Sequence, residues 1–112
     1  MGAKKWHGVK RGYKWSAFVY ARVKLRFPRV TNMGIYNCRK IAGSSSWSQH
    51  SWSNALDIGV PNRDYGNQVN RWLEQRKGRL NIEHKLWWVA DHYDHIHMDW
   101  FPNHTGVPPC GK

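Results

Sequence analysis

Two short segments of the chain hold most of the side chains that could bind a metal ion. Residues 48–57 and 91–99 together contain four of the seven histidines and four of the seven acidic residues. Zinc prefers imidazole nitrogen and carboxylate oxygen, and a catalytic zinc site has three protein ligands and a fourth position for water. His50 and Asp57, with one histidine of the second segment, would supply such a set.

The end of the second segment has the alternation of a β-strand. Side chains of a strand point alternately to its two faces. A strand over 95–100 would therefore present His95 and His97 on one face and turn Ile96 and Met98 toward a core. A His-x-His pair also occurs by chance on protein surfaces. The pair therefore supports a metal site only in combination with the first segment.

The two segments together resemble a known group of zinc peptidases. The first reads SxHxxxxAxD from Ser48, and the second, about forty residues later, reads DHIH from Asp94. This pairing resembles the group that joins lysostaphin, the D-alanyl-D-alanine metallopeptidases and the hedgehog signalling domain. It is most similar to the small D-alanyl-D-alanine carboxypeptidase-like endolysins of phages, and the resemblance covers about residues 36–100.

The resemblance implies a set of metal ligands. His50 and Asp57 match the first two zinc ligands of the group, and His97 matches the third. Zn²⁺ is therefore the expected cofactor. His92 and Asp91 are further donors that stay open as ligands.

The resemblance also implies catalytic residues. Asp94 matches the acidic catalytic position, and His95 matches a histidine that assists catalysis without binding the metal. Arg39 lies upstream, where many members keep an arginine that contacts the substrate carbonyl or carboxylate. The implied reaction is zinc-assisted hydrolysis of amide bonds in peptidoglycan peptides, by a carboxypeptidase or an endopeptidase.

Two features of the sequence raise structural questions. Ser53 stands where the group has glycine, and serine is strained if the backbone there needs a positive φ. In a regular strand, Asp94 and His97 would lie on opposite faces, so a bend must precede His95 if Asp94 is to act near the metal. Without that bend, His95 is the better acid/base candidate.

Two other functions compete with a peptidase. A member of the same group could bind zinc at a wall or virion without catalysis. A basic nucleic-acid-binding module is the other alternative, because aromatic and basic residues are interleaved in the first half of the chain, and such a mixture can stack on bases and neutralise phosphates. That module would leave the two motifs unexplained, so nucleic acid is not the expected partner.

Charge is distributed unevenly along the chain. Its formal net charge is +11; residues 1–56 carry eleven basic groups and no acidic one, while residues 57–112 carry seven of each. Such a basic half attracts polyanions, and with a peptidoglycan substrate the expected partners are anionic cell-wall polymers.

The expected location follows from the apolar pattern. No apolar stretch approaches the roughly 18 residues that span a membrane, and the basic start lacks the apolar region of a signal peptide. Taken with the resemblance to wall peptidases, this pattern leads us to expect a monomer made in the cytoplasm that acts at the bacterial cell wall, released by a phage or carried in a virion.

Local patterns predict the elements that must position these residues. Apolar spacing favours a helix from Trp15 that Pro28 ends, and Asn62 could cap a second helix. The remaining predictions are extended structure over 30–42 with a turn at 32–34, a helix over 63–77, and strands over 55–60, 82–90 and 95–100.

This order predicts an α+β fold with helices on one side of a small, mostly antiparallel sheet and the zinc cleft on the sheet. Residues 1–112 would form a single domain, with 1–12 a loose basic arm and 101–112 an irregular tail. Cys38 and Cys110 allow one disulfide or two free thiols; a disulfide would tie the tail to the segment that holds Arg39.

Overall fold

A computed structural model of the chain describes residues 10–89 and 92–112. It confirms the α+β class, with two helices and a four-stranded sheet in which every pairing is antiparallel. The elements are α1 (Lys10–Arg26), β1 (Thr31–Gly34), β2 (Ala55–Gly59), α2 (Arg63–Gln75), β3 (Ile82–Leu86) and β4 (His95–Trp100), with short 3-10 helices at Gln49–Trp52 and Pro109–Gly111.

The sheet has the strand order β1-β2-β4-β3, so the two strands that carry the motif residues are adjacent at its centre. Asp57 of β2 is paired directly with His97 of β4, and Leu56 is paired with Met98. Because side chains alternate along each strand, this register places Asp57 and His97 on one face and Leu56 and Met98 on the other.

Both helices pack against the second of these faces. The buried cluster joins α1, α2 and the strands and contains Val19, Val23, Phe27, Val69, Leu73, Leu56, Ile58, Ile96, Met98 and Trp100. Each such side chain stabilises the fold by roughly 1.5–3 kcal/mol when fully buried. The core therefore holds β2 and β4 rigidly and leaves their other face free to carry polar groups.

Helix α2 and strand β4 form where their sequence signals predict. Asn62 caps α2, since its side-chain oxygen accepts a hydrogen bond from the backbone N–H of Tyr65 at 2.8 Å. Strand β4 begins at His95 and ends at Trp100, with Ile96 and Met98 fully buried.

Helix α1 begins earlier than the sequence indicates. It starts at Lys10, so residues 10–12, expected in the loose arm, belong to the helix; residues 1–9 lie outside the described part. Gly12 packs so closely that a Cβ there would lie 3.1 Å from the backbone oxygen of Ser53. This glycine permits close packing of a helix, whereas the sequence analysis had assigned it to a flexible segment.

Strands β1 and β3 are shorter than expected. The turn predicted at Asn32–Gly34 lies inside β1, where the pairing with β2 shifts register between Asn32 and Gly34. β3 ends at Leu86 instead of continuing to residue 90, and Trp88 has a left-handed φ of 58° that is incompatible with a strand.

A disulfide between Cys38 and Cys110 joins the C-terminal tail to the segment before the first motif. The tail is irregular apart from the short 3-10 helix, as expected. Arg39 lies in the segment that follows β1. The next residue, Lys40, forms an isolated β-bridge with Trp47. Among residues 10–89 and 92–112, no helix has the length and apolar character needed to cross a membrane.

Candidate metal centre

His50 is held by a tight turn immediately before β2. Ser48 caps the 3-10 helix by accepting a hydrogen bond from the backbone N–H of His50 at 3.2 Å. The imidazole is 2 % exposed, and its Nδ1 lies 2.8 Å from the carbonyl oxygen of Ile35. A carbonyl can only accept, so Nδ1 carries a proton and, in the neutral ring, Nε2 presents a lone pair.

Asp57 and His97 meet this nitrogen from the sheet. Asp57 Oδ1 lies 3.2 Å from His50 Nε2 and 3.0 Å from His97 Nδ1. The direct pairing of Asp57 with His97 in the β2–β4 register brings the second and third of these groups together. The sequence-predicted ligand set is thus assembled from a turn and two adjacent strands.

The donor atoms of these three residues fit a metal ion. All three lie within 4.8 Å of one another, and two are nitrogens and one is a carboxylate oxygen. His50 Nε2 is buried and has no hydrogen-bond partner, although the Asp57 carboxylate faces it. Two acceptors so close need a cation between them, either a proton or a metal ion, so His50, Asp57 and His97 can hold a metal ion.

The pKa shifts of Asp57 and His97 also indicate that the site favours a positive charge. Burial opposes ionisation of Asp57, but its interactions with His50 and His97 outweigh burial and hold the pKa of Asp57 well below its usual value. Burial also opposes protonation of His97, yet Asp57 and Asp99 raise the pKa of His97 to about 9. A protonated His97 therefore places positive charge beside Asp57 and Asp99 when no metal is bound.

Asp94 lies in a bend that immediately precedes β4. A bend at this point is needed if Asp94 is to act near a metal ion held by His97. The Asp94 carboxylate is 77 % exposed and lies 2.8 Å from Nδ1 of His95. Hydrogen bonding to His95 lowers the pKa of Asp94. His95 shares a face of β4 with His97, so Asp94 reaches this face through the imidazole of His95.

The backbone of Arg39 is hydrogen-bonded to the turn that holds His50. Its N–H donates to Ser51 Oγ at 3.1 Å, and its carbonyl accepts from the N–H of Ser48 at 2.9 Å. The residue itself is exposed. This position keeps Arg39 beside the first motif, and the role of its guanidinium stays a prediction.

Ser53 ends the turn in the left-handed conformation, with φ 59° and ψ 22°. Glycine adopts this conformation without strain, whereas serine does not. The backbone at residue 53 therefore does have the positive φ that strains a serine. The Ser53 hydroxyl is also buried without a hydrogen-bond partner. The turn that holds His50 therefore contains two locally unfavourable features, a left-handed serine and an unpartnered buried hydroxyl.

Of the two further donors left open, only one can be placed. The His92 ring centroid lies 5.9 Å from that of His97 and 4.8 Å from that of His95, but His92 is not part of the three-residue group. Asp91 lies outside the described residues. His92 therefore borders the site beside the proposed acid/base pair.

The described part of the chain has two surface grooves of about 910 and 450 Å³, and His50, Asp57 and His97 line neither of them. The smaller groove is lined in part by Gln49 and Trp52, the neighbours of His50.

Asp99 is a site residue that the motifs did not identify. It accepts a hydrogen bond from His97 Nε2, with a distance of 3.1 Å to Oδ2. The signal that could have revealed it is the strand period, because residues 95, 97 and 99 of β4 share one face. The motif comparison stopped at His97.

The chain matches one family, described as Extensin-like protein C-terminus, over residues 13–84. The matched region contains His50 and Asp57 and ends before β4, which carries His97. No curated protein and no solved structure is significantly similar to the chain. The match covers more than half of the chain, and the protein belongs to the family of extensin-like protein C-terminal domains.

Proposed function

We propose that the protein is a zinc-dependent peptidase that hydrolyses amide bonds in peptidoglycan peptides. The observation that carries the proposal is the group formed by His50, Asp57 and His97, whose donor atoms lie within 4.8 Å of one another, with the buried Nε2 of His50 3.2 Å from Oδ1 of Asp57. An imidazole, a carboxylate and a second imidazole form the type of ligand set found in catalytic zinc sites.

The three ligands are supported in ways that suit a zinc site. The hydrogen bond from His50 Nδ1 to Ile35 sets the tautomer that offers Nε2 to a metal. Partial burial of Asp57 and His97 restricts water around the site. When bound, zinc supplies Lewis acidity toward the scissile carbonyl and lowers the pKa of a bound water.

Asp94 and His95 would handle the proton in this reaction. Asp94 holds Nδ1 of His95 at 2.8 Å, so that the other ring nitrogen can take a proton from the attacking water and return it to the leaving amine. His95 lies on the same face of β4 as His97, whereas Asp94 is largely exposed. We therefore assign the main acid/base role to His95, with Asp94 orienting it, and we assign Arg39 to the substrate carbonyl or carboxylate.

The substrate class rests on the resemblance of the two motifs to wall peptidases and on charge. A net charge of +11 would concentrate the protein on anionic cell-wall polymers. The Cys38–Cys110 disulfide supports action outside the reducing cytoplasm, because such bonds persist mainly in oxidising compartments. Release by a phage or carriage in a virion stays part of this proposal.

Digestion of purified peptidoglycan, with products identified by mass spectrometry, tests the proposed activity. The wild type should release peptide fragments or terminal D-alanine, and His95→Ala should lower the rate by about a hundredfold or more while keeping zinc. Asp94→Asn should reduce the rate less, since it acts through His95. Asp64→Asn, at an exposed position in the first turn of α2, serves as the matched control.

Zinc-loaded wild type that releases no product from any peptidoglycan preparation would contradict the peptidase proposal. In that case a non-catalytic zinc protein of the wall or virion becomes the better account. Full activity of His95→Ala would instead move the acid/base role away from His95 and back to Asp94.

A further inference from the structure

Asp99 is a buried carboxylate to which the proposed reaction assigns no role. It lies on β4, two residues after His97 and on the same face, and it is 5 % exposed. A buried carboxylate is costly unless its oxygens are hydrogen-bonded or paired. The partners of Asp99 therefore indicate what it does.

One oxygen of Asp99 is held by three donors. Oδ1 accepts from the backbone N–H of His84 at 3.2 Å, from His84 Nδ1 at 3.0 Å and from Asn103 Nδ2 at 3.0 Å. These bonds come from β3 and from the segment after β4. They fix the plane of the carboxylate and leave Oδ2 free to accept from His97.

The bond to Oδ2 determines which nitrogen of His97 is available to a metal. A neutral imidazole carries a single proton, and a proton on Nε2 that donates to Asp99 leaves the lone pair on Nδ1. Nδ1 is the nitrogen that lies 3.0 Å from Asp57 Oδ1. The two ring nitrogens point in diverging directions, so Asp99 supports His97 from the side away from the other two ligands.

We propose that Asp99 is the positioning residue of the metal centre and that it fixes the tautomer and ring orientation of His97. The inference rests on the proposed zinc centre but not on peptidase activity. Carboxylates that hold the second nitrogen of a metal-bound histidine typically contribute a factor of about 10–100 in metal affinity. His84 and Asn103 act indirectly, because they hold Asp99.

The zinc dissociation constant of the full-length protein tests this role, measured by competition with a chromophoric chelator. Asp99→Asn should bind zinc about 10–100-fold more weakly than wild type. Asn103→Ala removes one donor of the same network but keeps the carboxylate, so it should weaken binding less. Asp64→Asn, which changes an exposed aspartate in α2, should leave affinity unchanged.

A spectroscopic measurement separates positioning from a loss of stability. In zinc-loaded wild type labelled with ¹⁵N-histidine, the His97 signals should show a protonated Nε2 and a metal-bound Nδ1. In zinc-saturated Asp99→Asn, the Nε2 proton should exchange faster with water. The free energy of unfolding of Asp99→Asn and Asn103→Ala, measured without metal, gives the stability reference.

Unchanged zinc affinity and an unchanged Nε2 proton in a folded Asp99→Asn would overturn the proposal. Equal weakening of zinc binding by Asp99→Asn and Asn103→Ala, at equal loss of stability, would overturn it too, since the effect would then be structural. Wild type that binds no zinc removes both this inference and the zinc centre. Wild type that binds zinc, loses affinity in Asp99→Asn and cleaves no peptide supports positioning and contradicts only the peptidase.

Discussion

His97 lies between two carboxylates, and this position makes metal binding depend on pH. Its Nδ1 faces Asp57 and its Nε2 faces Asp99, at 3.0 and 3.1 Å. Although burial opposes the charge, these carboxylates raise the pKa of His97 to about 9. In metal-free protein the resulting stabilisation is fully present below the unfolded pKa of about 6.5 and is lost as the pH rises through about 9.

Zinc must displace the proton on Nδ1, so its apparent affinity should rise with pH. Because His97 is protonated in the metal-free protein below pH 9, we expect affinity to increase about tenfold per pH unit between roughly pH 7 and 8.5. Calorimetry in buffers of different ionisation enthalpy should show about one proton released per zinc. Affinity that is constant over this range would contradict the assignment of His97 as a ligand.

Ser53 is a position where a single substitution should stabilise the protein. Ser53→Gly removes a left-handed non-glycine residue and a buried hydroxyl without a partner. Each of these costs on the order of 1 kcal/mol or more. The greater freedom of glycine in the unfolded chain offsets part of the gain.

We therefore expect Ser53→Gly to raise the free energy of unfolding by about 1 kcal/mol, measured by urea denaturation. Ser45→Gly, in the exposed loop before the first motif, is the control and should be neutral or slightly destabilising. A loss of stability in Ser53→Gly equal to that of the control would show that the turn is not strained.

Among the elements, the two central strands could be predicted from the sequence, whereas their pairing and the edges of the fold could not. Period-two alternation in β4 and the cap at Asn62 act over a few residues, so local patterns suffice for them. The start of α1 depends on Gly12 packing against the turn at Ser53, a contact between residues far apart in sequence. The strand period places Asp99 on the face of His97, but the bonds from His84 that hold its carboxylate depend on the pairing of β3 with β4, which no local pattern shows.

The packing of α1 against the His50 turn yields a prediction for Gly12. A Cβ at residue 12 would lie 3.1 Å from the backbone oxygen of Ser53 and 3.3 Å from that of Trp52. Both are backbone atoms that can move only with the turn. Gly12→Ala should therefore lower the free energy of unfolding by about 1 kcal/mol and weaken zinc binding through His50.

Gly78→Ala, in the turn after α2, is the control for an added methyl group that meets no atom within 4 Å. Thermal unfolding and zinc titration of both variants make the comparison. An isolated helical glycine gains about 1 kcal/mol on replacement by alanine. Stabilisation of that size in Gly12→Ala would contradict the close contact between helix and turn.

At the scale of the whole molecule, charge should determine how the protein reaches its substrate. Residues 1–56 carry eleven basic groups and no acid. Attraction between exposed charges is screened over about 10 Å at 0.1 M salt. We expect sedimentation with insoluble cell walls to fall strongly when NaCl rises from about 50 to about 500 mM.

Hydrolysis of a small soluble peptide substrate is the control for this salt effect, since it needs no attraction to a polymer and should change little. Wall binding that persists at high salt would show that contacts other than charge recruit the protein. Equal salt sensitivity of both assays would instead point to an effect on the active site.

The proposed function requires a zinc ion at His50, Asp57 and His97, and elemental analysis of the purified protein measures whether that ion is bound. After dialysis against zinc and removal of excess, the wild type and Asp64→Asn should hold about one zinc per chain, and His97→Ala and Asp57→Asn should hold none. Folding of each variant is checked by circular dichroism. A folded wild type without zinc, or full zinc content in His97→Ala, would contradict the assignment of His50, Asp57 and His97 as a zinc site.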